Sequence, residues 1–159
     1  MKLRIGYGFD VHRLSEGYDL WLGGVKIPAE KGAVGHSDAD VVLHAICDAM
    51  LGALSLRDIG FHFPDTSSEF KGIDSKILLK RTFDLIKEKG FRVNNIDAML
   101  CLEKPELKPH IDAMRESIAA ILEVTADDIS IKATTNEKLG YVGREEGITA
   151  SAVVLLIAD

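Results

Sequence analysis

Two short runs of the sequence place aspartate and histidine side chains where they could bind a metal ion. Asp10 and His12 lie two residues apart, so on a strand both side chains point to the same face. Asp40, His44 and Asp48 recur at every fourth residue, so on a helix they share a face. A strand offering Asp and His, facing a helix offering a further His, supplies three ligands of the types that zinc prefers, with an open fourth position that is typical of catalytic zinc. Alone, an Asp-x-His pair is more often a solvated pair on a strand, because short motifs match by chance.

An acidic residue one helical turn from His44 could hold its second ring nitrogen and fix its tautomer. Asp40 and Asp48 have that spacing. For Asp48, a solvated helix face is the alternative interpretation.

The first ligand pair lies on a predicted strand. Its apolar residues alternate with polar residues and glycines from Leu3 to His12, which is the period of a strand. We expect the apolar face to pack on the core and Asp10 and His12 to lie on the other face. Gly6 and Gly8 leave that second face bare, so another group can approach the backbone there.

The remaining patterns predict an α+β fold, with a largely antiparallel four-stranded sheet, helices on one face and a small β-hairpin. A loop at 32–37 precedes a helix over about 39–54, which Ser37 or Asp38 could cap. Residues 57–75 lack periodicity and are predicted to form a flap, whose first part, at Asp58, is ordered. The other predicted elements are a hairpin at 20–28, helices starting at Asp74-Ser75 and Pro109, and strands at 91–103, 129–135 and 148–158.

Length and composition predict one domain over residues 1–159 and limit the partners. The formal net charge of −6 argues against non-specific nucleic-acid binding, which requires a basic surface. No apolar run is long enough to span a membrane, so we expect no membrane partner. Cys47 and Cys101 each lie among apolar residues and are expected to be reduced thiols, which indicates a cytoplasmic protein.

A second polar run, Thr134 to Glu137, follows a predicted strand. Two hydroxyls, an amide side chain and free backbone N–H groups at a short helical turn would suit a phosphate, and the carboxylate of Glu137 could hold a hard cation. An ordinary capped turn is the alternative. His62 and His110 lack partners at ligand spacing and are expected to be surface histidines.

Seven short motifs occur in a fixed order along the chain, and together they resemble the 2-C-methyl-D-erythritol 2,4-cyclodiphosphate synthase family over essentially the whole length. No further domain is expected. The motifs are F-D-V-H at 9–12, G-H-S-D-A-D-V-V-L-H-A at 35–45, D-I-G at 58–60, F-P-D-T at 63–66, A-T-T-N-E-K-L-G at 133–140, G-R at 143–144 and E-G-I at 146–148.

The resemblance implies a lyase of the non-mevalonate isoprenoid pathway. The 2-phosphate of 4-diphosphocytidyl-2-C-methyl-D-erythritol 2-phosphate would attack the β-phosphorus of the same molecule, giving the cyclic diphosphate and releasing CMP. It further implies one zinc ion per active site on Asp10, His12 and His44, and a magnesium or manganese ion on Glu137. The family is homotrimeric, with sheets around the three-fold axis and active sites between subunits, so one subunit would give the zinc ligands and its neighbour the cytidine pocket.

The resemblance also implies site residues. His36 and Thr135 would stabilise charge on the reacting phosphorus, and Ser37 would help His36 hold the phosphate. The full set implied to bind substrate is Asp10, His12, His36, Ser37, Asp58, Ile59, Gly60, Phe63, Pro64, Asp65, Thr66, Ser67, Leu102, Pro105, Leu107, Lys108, Ala133, Thr134, Thr135, Asn136, Glu137, Tyr141 and Arg144.

The chain departs from the family at Glu106, where many members carry a lysine; Lys104 or Lys108 could supply the positive charge instead. Two other functions remain open. One is a zinc hydrolase that uses Asp40 or Asp48 as its base. The other is a non-catalytic trimeric binding module with a structural zinc ion.

Overall fold

A five-stranded mixed sheet forms the framework, as seen in a computed structural model that describes residues 2–158. The strand order is β4-β1-β7-β5-β6, and only the β5–β6 pair is parallel. These strands are β1 (Leu3–Glu16), β4 (Lys31–Val34), β5 (Phe91–Cys101), β6 (Ile129–Thr134) and β7 (Gly147–Ala158), with a separate hairpin of β2 (Leu20–Leu22) and β3 (Val25–Ile27). The predicted α+β class, the small hairpin and the helices on one face are confirmed.

The prediction of four strands was wrong, because part of the predicted loop at 32–37 is β4. This edge strand pairs antiparallel with the far end of β1, from Arg13 opposite Val34 to Glu16 opposite Lys31. It is short and contains Gly32, so it has no alternating pattern to reveal it. Its pairing depends on β1 extending to Glu16, beyond the part in which the sequence alternates.

Five helices and three 3₁₀ turns complete the part of the chain that the structure describes. The helices are α1 (Val41–Ala53), α2 (Ile59–His62), α3 (Ser75–Glu88), α4 (Ile111–Leu122) and α5 (Gly140–Gly143), and the turns are Ser68–Phe70, Lys108–His110 and Ala126–Asp128. Asp74 caps α3 and Gly90 follows its end with a φ of +75°, both as predicted. The predicted flap at 57–75 contains α2, and Asp58 caps it by accepting the N–H of Phe61. No helix among the described residues is long and apolar enough to cross a membrane.

The two faces of β1 lie opposite to the expectation. The apolar face is exposed, with Ile5 at 72% and Tyr7 at 64%, while Gly6 and Gly8 are buried against α1. A Cβ at Gly8 would lie 1.9 Å from the backbone oxygen of Ala45, so only glycine allows the helix to come this close. The core therefore lies on the glycine face of β1, and this face also carries Asp10 and His12.

Helix α1 lies in the centre of this core. Ten of its residues are buried, because β1 and β7 cover one side and α3 packs against it as well. A helix that is apolar on nearly all sides is expected at such a position. The side chain of Asp40 caps it at the N-terminus by accepting the N–H of Leu43, so the predicted caps, Ser37 and Asp38, were wrong.

Candidate active site

Asp10, His12 and His44 converge on one point between β1 and α1. Oδ2 of Asp10 lies 3.0 Å from Nε2 of His12 and 3.0 Å from Nδ1 of His44, and the two ring nitrogens are 3.2 Å apart. A tetrahedral zinc ion with bonds of about 2.0–2.1 Å holds its ligands about 3.3 Å apart, so the three atoms match one face of such a tetrahedron. Among residues 2–158 this is the only cluster of three or more such side chains that could hold a metal ion.

The electrostatics of the cluster favour an anionic aspartate beside two imidazoles. Burial raises the pKa of Asp10, but hydrogen bonds and charge from His12 and His44 outweigh it, so this pKa lies below its ordinary value. Burial lowers the pKa of His44, but Asp10 outweighs it and raises this pKa. A metal cation bound at this point would compete with protons for the ring nitrogens, and the Asp10 carboxylate would stabilise its positive charge.

Neither acidic residue predicted to hold the second nitrogen of His44 does so. Asp40 accepts the N–H groups of Gly23, Gly24 and Leu43 and is fully buried, so it joins the hairpin to the start of α1. Asp48 accepts the N–H of Ile59 at 2.7 Å and anchors α2. Backbone donors therefore attract both carboxylates, and the second nitrogen of His44 instead lies 2.9 Å from Oγ of Ser75.

A cavity of about 410 Å³ opens beside the cluster. Its lining includes His44 of the cluster and seven of the implied substrate contacts. These seven are His12, His36, Ser37, Ile59, Gly60, Phe63 and Asp65. The sequence did not single out Phe70, Ile73 and Leu78, which complete the apolar wall. Asp58, Pro64, Thr66 and Ser67 belong to the same segment but do not line the cavity in this structure.

His36 is joined to the flap by two hydrogen bonds. Its Nε2 donates to the carbonyl oxygen of Ser67 at 3.0 Å, and its own carbonyl oxygen accepts the N–H of Gly72 at 2.7 Å. A donated Nε2–H leaves Nδ1 as the ring atom that can face another group. Ser37 lies next to it, with its Oγ accepting the N–H of Ala39.

A second cavity, of about 350 Å³, lies between the β5–α4 connection and β6. Seven of the implied cytidine-binding residues line it: Leu102, Pro105, Leu107, Lys108, Ala133, Thr134 and Thr135. Glu106 also lines it, whereas Lys104 lies outside it and pairs with Glu145 at 3.3 Å. Of the two lysines considered as a source of positive charge, only Lys108 is therefore at this cavity.

Besides Asp10 and the four flap residues named above, four more implied contacts line neither cavity. Asn136 and Glu137 follow Thr135 in an exposed loop, which Glu103 holds by accepting the N–H groups of Asn136 and Lys138. The other two are Tyr141 and Arg144, and the guanidinium of Arg144 pairs with Glu146 at 3.0 Å.

The sequence predicts that His62 and His110 are surface histidines and that the two cysteines are reduced thiols. His62 donates from Nε2 to the carbonyl oxygen of Leu56, and neither it nor His110 belongs to a metal-binding group among the described residues. Cys47 and Cys101 are both free thiols, as expected.

Comparisons with known proteins show the family and the fold. Residues 3–157 match the YgbB family. The chain is 62% identical to the 2-C-methyl-D-erythritol 2,4-cyclodiphosphate synthase of Bacteroides thetaiotaomicron, over 100% of both chains. Its fold matches the structure of the bifunctional IspDF from Campylobacter jejuni with a TM-score of 0.95 and 42% identity, covering 99% of this chain but 43% of that one. It also matches a CDP-bound 2C-methyl-D-erythritol-2,4-cyclodiphosphate synthase with a TM-score of 0.90 and 39% identity, over 97% of this chain and 100% of the other.

Proposed function

Since the chain belongs to the YgbB family and is an enzyme of the cyclodiphosphate synthase type, a lyase of isoprenoid biosynthesis, we propose the reaction that it catalyses. An oxygen of the 2-phosphate of 4-diphosphocytidyl-2-C-methyl-D-erythritol 2-phosphate attacks the β-phosphorus. The bond from the β-phosphorus to the bridging oxygen breaks, so CMP leaves and 2-C-methyl-D-erythritol 2,4-cyclodiphosphate forms. The convergence of Asp10, His12 and His44 beside a cavity carries this proposal.

We propose that these three residues hold one zinc ion. Two imidazoles and one carboxylate are the donor set of a catalytic zinc site with one open position. When bound, zinc supplies Lewis-acid polarisation of a phosphate oxygen. Asp10 and His12 share one face of β1, and the buried glycines next to them let α1 bring His44 within reach.

The residues around the cavity position the reacting groups, which is the main requirement of phosphoryl transfer. His36 donates Nε2–H to the flap, and in the imidazolium form it also donates Nδ1–H to a phosphate oxygen and so stabilises the charge that develops there. Ser37 assists it. The erythritol unit occupies the same cavity, where the backbone of Gly60 and the ring of Phe63 line the wall. Asp58 is not part of this lining, but its Oδ1 lies 3.8 Å from where a Cβ of Gly60 would be, and it binds the erythritol hydroxyl groups from there.

The second cavity binds the cytidine diphosphate unit, because seven of the implied cytidine-binding residues line it. The CDP-bound relative supports a cytidine nucleotide as the ligand. Thr135 lies at its edge and stabilises the reacting phosphorus together with His36. Glu137 follows as an exposed carboxylate, which would hold a magnesium or manganese ion, and such an ion would neutralise charge on the diphosphate. Lys108 supplies positive charge at this cavity in place of the lysine that Glu106 replaces.

The assembly is proposed to be a homotrimer, with the exposed apolar face of β1 towards the three-fold axis. Leu3, Ile5, Tyr7, Phe9 and Val11 are each 46–72% exposed, and a contiguous apolar face of this kind marks an interaction surface. The metal-side cavity and the cytidine cavity have no lining residue in common. This separation supports an active site made by two subunits, with metal ligands from one and the cytidine cavity from its neighbour.

Mixed trimers test the shared site. The variants His44→Ala and Thr135→Ala remove one function from each side, and each should be inactive alone. When the two are mixed by reversible unfolding, about one site in four combines two intact halves and regains activity, because every interface of a cyclic trimer is equivalent. If activity stayed absent although mass spectrometry detected mixed trimers, each site would lie within a single chain.

Product analysis tests the reaction itself. Incubation with the diphosphocytidyl substrate should release CMP and yield a cyclic diphosphate in ³¹P NMR spectra, and Asp10→Ala should abolish both zinc binding and turnover. A linear phosphate product would indicate the hydrolase instead. The structure gives no support to that alternative, because Asp40 caps α1 and Asp48 anchors α2.

One further variant separates a catalytic from a structural metal. In His44→Ala, loss of turnover with an intact trimer would support a catalytic metal. Loss of the trimer, in a protein whose wild type has no activity to lose, would support a structural one.

We also propose that residues 1–159 act as a single domain in the cytoplasm, where free thiols such as Cys47 and Cys101 persist.

A further inference from the structure

The two ring nitrogens of His44 face different surroundings. Nδ1 lies 3.0 Å from Asp10 and 3.2 Å from His12, so it is the atom that would bind the metal. Nε2 points the other way, to the hydroxyl of Ser75 at 2.9 Å and to that of Ser37 at 3.2 Å. A histidine can bind a metal through Nδ1 only when its remaining proton is on Nε2.

The hydroxyl oxygen of Ser75 is placed to accept a hydrogen bond from this Nε2–H. It is the first residue of α3 and is fully buried. Its backbone N–H donates to Oδ2 of Asp38 at 2.9 Å, and its hydroxyl donates to Oδ1 of the same carboxylate. A serine hydroxyl carries one hydrogen and an ionised carboxylate only accepts. With its single hydrogen given to Asp38, Oγ of Ser75 can only accept from Nε2–H of His44.

Asp38 is itself held between two elements. Its Oδ1 also accepts the N–H of Asp40 at 3.1 Å, and its backbone N–H donates to the carbonyl oxygen of Ile73. The loop before α1 and the loop before α3 are thereby joined at this carboxylate. The direction of the Ser75 hydroxyl is therefore determined by contacts that do not involve the metal cluster.

We propose that Ser75, oriented by Asp38, is a positioning residue that holds His44 in the tautomer and ring orientation that bind the metal. The proposal rests on the metal site proposed above. It assigns a role to two residues that neither the spacing of the acidic residues nor the family motifs indicated for this purpose. Partners of this kind usually contribute 10- to 100-fold to metal affinity, because they orient the ligand before binding.

Zinc affinity provides the first test, measured by competition with a chromophoric chelator and without any activity assay. Ser75→Ala should raise the dissociation constant for zinc by about 10- to 100-fold. Thr82→Val is the matched control, since Thr82 is also a fully buried hydroxyl of α3, about 10 Å further along the helix. It should leave the zinc affinity unchanged. A folded Ser75→Ala protein with wild-type zinc affinity would overturn the proposal.

The Nε2–H of His44 provides a second test on the zinc-bound protein, because without metal the Asp10 carboxylate, 3.0 Å from Nδ1, would draw the proton to that nitrogen. With zinc on Nδ1, ¹H–¹⁵N NMR should show Nε2–H of wild-type His44 protected from exchange with water, because the buried Ser75 hydroxyl accepts it. In Ser75→Ala this hydrogen should exchange faster, whereas in Thr82→Val it should not. Unchanged exchange in a folded Ser75→Ala protein would refute the role of Ser75. Failure of the wild-type protein to bind zinc would instead refute the proposed function.

Discussion

Gly8 determines how closely α1 approaches β1, so Gly8→Ala should disrupt the metal site although Gly8 is not a ligand. A Cβ at this position would lie 1.9 Å from the backbone oxygen of Ala45 and 2.7 Å from the backbone nitrogen of Ala49. Both atoms belong to the helix backbone, so no side-chain rotation can relieve the contacts. The strand and the helix must therefore separate.

The separation can be compared with the geometry of the site. Non-bonded heavy atoms pack at about 3.5 Å, so the helix must retreat by about 1.5 Å. His44 precedes Ala45 on that helix, and its Nδ1 now lies 3.0 Å from Oδ2 of Asp10. A retreat directly away from the strand takes this distance to about 4.5 Å, which is too wide for two ligands of one tetrahedral zinc ion.

We expect Gly8→Ala to lower turnover at least about 100-fold, since a displacement of 1 Å in a catalytic site has that effect, and to weaken zinc binding in parallel. Overpacking should also lower the free energy of unfolding by about 1–3 kcal/mol. Zinc titration, CMP release and thermal unfolding measure the three effects.

Gly52→Ala is the matched control on α1. A Cβ at Gly52 would meet only the backbone oxygen of Tyr7, at 3.9 Å, so it fits without movement. This variant should bind zinc normally and gain about 0.5–1 kcal/mol of stability, because alanine is favoured over glycine within a helix. Wild-type zinc affinity and turnover in Gly8→Ala would refute the view that the close approach of β1 and α1 builds the site.

Three further predictions address assembly, pH and thiol reactivity. Ile5→Asp places a charge on the exposed apolar face of β1 and should convert the proposed trimer to monomers in light scattering, with zinc binding retained; a stable trimer would exclude this face as the interface. Because Asp10 raises the pKa of His44 above its ordinary value of 6.5, a proton competes with zinc below that raised pKa. Zinc affinity should therefore fall as the pH falls, and an affinity that is constant between pH 6 and 9 would contradict the geometry. Burial raises the pKa of Cys47 to about 12, so a thiol reagent at pH 8 should label it only after unfolding, as peptide mass spectrometry can determine.

The two halves of the cluster, Asp10 with His12 and separately His44, could be predicted because each depends on local periodicity. A strand places alternate residues on one face and a helix places every fourth residue on one face, so the ligand types and their spacing define the two halves of the site. The same reasoning predicts the caps of α3, where Asp74 and Gly90 have specific backbone requirements.

The contacts of Asp40 show where local reasoning stops. Helical spacing placed this carboxylate one turn from His44, yet it accepts three backbone N–H groups, two of them from the hairpin turn at Gly23 and Gly24. Ser75, the true partner of the ring, lies 31 residues from His44 along the chain. Its position depends on how α3 docks beside α1, which no periodicity in either helix determines.

The orientation of β1 has the same cause on a larger scale. An alternating strand has two distinct faces, but alternation alone cannot say whether the apolar face meets its own core or another molecule. Here the glycines decide, because a face bearing Gly6 and Gly8 lets a helix backbone approach to a distance that a face of tyrosine and phenylalanine forbids. Burying the glycine face places Asp10 and His12 beside the helix that carries His44. It also leaves Ile5 and Tyr7 exposed, so the close packing that brings the three side chains together is the same feature that creates the surface proposed above for self-association.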